Sequence, residues 1–83
     1  MEKADYLRPG DEVTVRILGP EGKELYKSTS NGYHNLDNAV NAAIENAGLE
    51  INPADCVFEV SNLSNDVSHQ YRLNAHGHLK LIL

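Results

Sequence analysis

Asn35-Leu36-Asp37-Asn38-Ala39-Val40-Asn41-Ala42-Ala43-Ile44-Glu45-Asn46-Ala47-Gly48 is the stretch whose reading decides the fold. Leu36, Ala39, Val40, Ala43, Ile44 and Ala47 recur at the i, i+3, i+4, i+7 spacing of one helical face. Asn35 precedes the stripe as an N-cap, because its side chain accepts a backbone N–H that has no partner inside the helix. Asp37 places a negative charge at the positive end of the helix dipole. Gly48 suits the left-handed stop, with Leu49 supplying the hydrophobic contact that accompanies it. The several alanines on the stripe allow close approach to a sheet.

On both sides of this helix the period changes to two. Val13, Val15 and Ile17 alternate with Thr14, Arg16 and Leu18, and four of these six residues are β-branched. Arg8-Pro9-Gly10-Asp11 is a turn signal before them, and Gly19-Pro20-Glu21-Gly22 closes them as a loop. Lys23 to Ser30 then returns as the second arm of a hairpin, with Leu25 and Tyr26 on opposite faces. Asn31-Gly32 is a further turn or bulge. Beyond the helix, Asn52-Pro53 breaks the chain, and Cys56, Phe58 and Val60 open a third strand. Ser64-Asn65-Asp66 reads as a loop, Ser68 to Asn74 as a fourth strand, and His76-Gly77 as a two-residue hairpin turn. The chain closes on Leu79, Leu81 and Leu83 facing one way.

The order ββαβββ predicts an α+β fold, a two-layer sandwich with one helix packed on a four- or five-stranded, mainly antiparallel sheet. One domain over residues 1–83 is expected, with 1–9 as a polar lead-in. The predicted core is Val13, Val15, Ile17, Leu36, Ala39, Val40, Ala43, Ile44, Ala47, Phe58, Val60, Tyr71, Leu73, Leu79 and Leu81.

Composition bounds the function. Hydrophobic residues make up 41% and charged residues 23% of the 83, an ordinary globular balance. The formal net charge is −5, and the seven basic residues form no run, which argues against a nucleic-acid partner. A lone cysteine permits no intrachain disulfide, and no apolar run approaches the ~18 residues of a membrane span. The expected setting is cytoplasmic. The opening Pro9-Gly10-Asp11-Glu12-Val13-Thr14-Val15 is similar to turns that lead into strands in many small β-barrels, but the later helix and hairpins depart from a nucleic-acid-binding barrel.

No residue pattern assigns a catalytic, cofactor or metal site. His69, His76, His78 and Cys56 are the residue types a small metal protein or enzyme would use. A two-residue turn at His76-Gly77 pairs Ala75 with His78 and leaves His69 roughly 20 Å down the strand at ~3.3 Å per residue. The histidines then read as one turn residue and solvent-facing strand residues. Cys56, in phase with Phe58 and Val60, reads as a small core residue. The carboxylates are scattered as on a solvated surface.

The remaining functional signal is physical. Leu79, Leu81, Ile82 and Leu83 make a short apolar terminal strand. At a sheet edge it invites pairing with another chain, and in the middle of the sheet it is core. Asn38, Asn41 and Glu45 on the polar face of the helix are a second candidate contact surface, alongside the reading that they face water. The expected function is therefore a non-catalytic protein-interaction module that binds a protein partner or self-associates, with no cofactor, nucleic acid or membrane. In size and charge it is similar to small acidic inhibitors and accessory proteins of phages or mobile elements.

Overall fold

A computed structural model of the chain describes residues 10–33, 35–64 and 66–82. The expectations placed on the lead-in 1–9, with Arg8 and Pro9 of its turn, and on Asn65 and Leu83 lie outside those residues.

Strands β1 (Val13–Leu18), β2 (Glu24–Ser30), β3 (Val57–Asn62), β4 (Val67–Leu73) and β5 (Leu79–Leu81) form a sheet of order β2-β1-β3-β4-β5, every neighbouring pair antiparallel. Helix α1 (Leu36–Ala47) connects β2 to β3 and packs against β1 and β2. β2 and β3 flank β1 and run parallel to each other, so the helix crosses over one intervening strand. The α+β arrangement and the order ββαβββ are those the sequence predicts.

Pleating divides the sheet into two unlike faces. Val13, Val15 and Ile17 of β1 are fully buried against Ala39, Val40 and Ala43 of α1, with Phe58, Val60 and Tyr71 continuing the core along β3 and β4. The opposite face is polar. Thr14 bonds Thr29 at 2.7 Å, and Ser61 bonds Ser68 at 3.0 Å, forming a row of hydroxyls across four strands. In the next row Arg16 donates from Nε to Glu24 at 2.8 Å and from its guanidinium to Glu59, and Gln70 also donates to Glu59. A sheet with one dry and one wet face is what alternating antiparallel strands produce.

The local signals act as their chemistry dictates. The Asn35 side chain accepts from the Asn38 N–H at 2.8 Å, and Gly48 closes the helix at φ 60°. Asn52 caps a short 3-10 turn over Pro53–Asp55 and accepts from the Ala54 N–H. On β2 a bulge between the β1 positions Ile17 and Leu18 shifts the register, leaving Tyr26 half-buried against the core and Leu25 exposed over Gly19.

Three expectations are corrected. Cys56 does not open β3: it ends the 3-10 turn, bonding its N–H to the Pro53 carbonyl, and is fully buried there. The last hairpin turns on three residues, Ala75, His76 and Gly77. Asn74 opposes His78, and the Asn74 N–H bonds the His78 carbonyl at 2.8 Å. The Asn74 side chain accepts from the N–H groups of His76 and His78, and Gly77 at φ 81° completes a turn that needs one left-handed residue. Finally, Leu81 is no core residue. At 43% exposed it lies on the outermost strand, while Leu79 is half-buried.

Replacing Asn35 by Ala is expected to destabilise the fold by about 1 kcal/mol through the lost cap. The exposed Asn38→Ala, which leaves the cap's backbone donor in place, is expected to change stability by less than about 0.5 kcal/mol. Urea midpoints of the two variants check the difference.

Candidate functional site

β5 is an edge, and this places the candidate partner-binding strand. Among the described residues its backbone is committed on one side only, to β4. The Asn74–His78 and Ile82–Gln70 hydrogen bonds fix residues 78, 80 and 82 as those whose backbone groups point to β4. The alternation of an antiparallel ladder then turns the N–H and C=O of Leu79 and Leu81 outward. The side chains of these two leucines lie on the helix side of the sheet, opposite Leu73 and Tyr71. Lys80 lies on the polar side, directly opposite Arg72, and both are exposed. Ile82, 37% exposed, follows the strand, and Leu83 is outside the described residues.

The other edge is differently dressed. β2 carries Glu24, Lys27 and Thr29 as exposed polar side chains and is interrupted by its bulge, two devices that discourage pairing. β5 has a single charge, Lys80, between its leucines. The helix face named by the sequence, Asn38, Asn41 and Glu45, is exposed.

The residues that would carry chemistry are kept apart. Among the described residues no three His, Cys, Asp or Glu side chains come together as a metal set. The rings of His76 and His78 have centroids 6.5 Å apart with their planes 37° from parallel, and both residues are exposed. His69 is corrected by the structure: it is not solvent-facing but half-buried on the core side, opposite Val60, its ring edge-on to Tyr71 at 6.4 Å. The reason is parity, because β4 positions 67, 69, 71 and 73 share the face that Tyr71 commits to the core.

Cys56 is sealed. Burial pushes its thiol pKa up, with the neighbouring Asp55 carboxylate adding to the shift, and its Sγ faces the Asn52 carbonyl at 3.9 Å. A thiol in these surroundings is held in its unreactive form.

Asn62 is the buried polar residue the sequence did not single out. Fully enclosed at the end of β3, it donates from Nδ2 to Asp11 at 2.7 Å and accepts the Ser64 N–H on Oδ1. Alongside it the Leu63 N–H bonds the Glu12 carbonyl at 2.7 Å, and Ser64 Oγ accepts from the Glu12 N–H. These bonds lace the turn after β3 to the entrance of β1. They are a structural clasp that leaves Asn62 no capacity aimed at solvent.

Comparison with protein-family models, with curated proteins and with solved structures finds no match. Among the described residues no helix is long and apolar enough to cross a membrane.

The raised Cys56 pKa has a definite sign in stability. The thiol keeps its proton longer in the folded state, so its contribution is fully present below the unfolded pKa of about 8.5 and is lost as pH rises toward the folded value. Unfolding midpoints are expected to fall between about pH 8 and pH 9.5, below the range where Tyr71, also raised by burial, adds the same trend. Cys56→Ala removes the fall in that window. Iodoacetamide is expected to label the native thiol far more slowly than the unfolded one.

Proposed function

We propose that this protein is a non-catalytic interaction module that binds a protein partner by adding a strand to the β5 edge. The observation that carries this reading is the outward N–H and C=O of Leu79 and Leu81 on an edge strand whose apolar side chains are incompletely covered. Unpaired strand edges are templates for another chain, and main-chain bonds supply affinity while alternate side chains supply selectivity. The dispersal of the histidines and the sealed Cys56 thiol support binding over catalysis. The contact is small, which suits a partner engaged reversibly.

Leu81→Pro tests the mode of binding. Proline deletes one outward N–H without touching a bond to β4, and edge strands tolerate it there. Capture of partners from the native host lysate is expected to be lost, while the unfolding midpoint moves by no more than about 1 kcal/mol equivalent. A captured set identical for the wild type and this variant overturns strand addition at β5.

A further inference from the structure

The charge beside the β5 edge carries a prediction about what binds it. Arg72 and Lys80 sit directly opposite one another across β4 and β5, both exposed. Like charges at directly opposed positions oppose sheet pairing. The sheet contains a second such pair, Arg16 opposite Lys27, but there Arg16 is held between the carboxylates of Glu24 and Glu59. Among the described residues Arg72 and Lys80 have no carboxylate partner, in a chain whose net charge is −5. The one uncompensated cation pair on the sheet therefore stands at the edge that is open to another strand.

Strand geometry converts this pair into a sequence pattern. In an antiparallel addition, partner residues opposite Leu79 and Leu81 form the hydrogen-bonded pairs and place their side chains on the helix side of the sheet. The residue between them lies opposite Lys80 in a non-hydrogen-bonded pair, the closer of the two spacings, on the same face as Arg72. An Asp or Glu there meets both cations.

A second copy of this chain fits badly. Two-fold pairing of β5 strands, Leu79 against Leu81 of the other copy, sets Lys80 against its own equivalent and lines up four cations across four strands.

We propose that the β5 edge selects an extended segment of a partner protein with the pattern apolar–acidic–apolar, and that Lys80 with Arg72 excludes self-pairing at that edge. The proposal rests on strand addition at β5 and specifies its occupant.

The experiment is an NMR titration of the full chain with two capped peptides of about seven residues, valine alternating with glutamate in one and with lysine in the other. The glutamate peptide is expected to shift the Leu79 and Leu81 amides and to bind at least about ten-fold more tightly at low salt. Lys80→Glu is expected to reverse the preference. Equal binding of both peptides at Leu79 and Leu81 overturns charge selection while leaving strand addition in place. No shift at these amides with the glutamate peptide overturns the proposed pattern, and the Leu81→Pro capture experiment decides strand addition separately. A dimer that forms through β5 in the wild type, seen as concentration-dependent shifts at Leu79 and Leu81 without peptide, overturns the exclusion of a second copy.

Discussion

The burial of Val13, Val15 and Ile17 is the constraint on which the rest of the structure depends. Three aliphatic side chains of one strand are fully enclosed, which requires a strand on each side of β1 and a helix above it. The hairpin supplies β2 on one side. The crossover through α1 supplies β3 on the other, and the alanine-rich stripe lets the helix settle close over the buried row. Truncation here would remove contacts shared by the helix and both flanking strands, the situation in which a cavity is least able to collapse.

Centring the helix over β1 and β2 has a consequence at the far end of the sheet. Among the described residues β4 packs against the short 3-10 turn, and β5 lies further out still. Tyr71 is buried, Leu73 and Leu79 are half-covered, and Leu81 is exposed. The asymmetry between a well-covered half and a thinly covered half thus arises from the core itself. A thinly covered edge at β5 is a by-product of how one helix covers five strands.

Much of this was legible along the chain, and what was not follows from non-local geometry. The helix, its Asn35 cap, its Gly48 stop and the alternation of β1 are local signals, and the structure realises each of them. Strand order is not a local property, so the terminal leucines read equally as core or edge until β5 takes the outer place. The faces of β4 and β5 depend on a single turn residue. A two-residue turn would oppose Ala75 to His78, whereas the Asn74 side chain, holding two N–H groups, fixes a three-residue loop and sets Leu79 and Leu81 opposite Leu73 and Tyr71. A one-residue slip of that kind moves side chains to the other face. Asn62 escaped notice because a polar residue ending a strand usually faces water, and its partner Asp11 lies 51 positions away.

Lys80 gives the edge its particular character. A lysine on an edge strand is commonly a guard against association, and against a second β5 it acts as one, because two-fold pairing repeats the charge on itself. The same charge is attractive to an acidic segment, since Arg72 doubles it from the neighbouring strand and no described carboxylate offsets it. Repulsion between copies and attraction to a complementary strand are one electrostatic fact viewed against two partners, which is how specificity differs from affinity. Arg16 shows the alternative. At the opposite edge, where Arg16 of β1 faces Lys27 of β2, two glutamates hold Arg16 and the charge is spent on the fold. At β5 no described carboxylate answers the pair, and in the proposed complex an acidic residue of the added strand does.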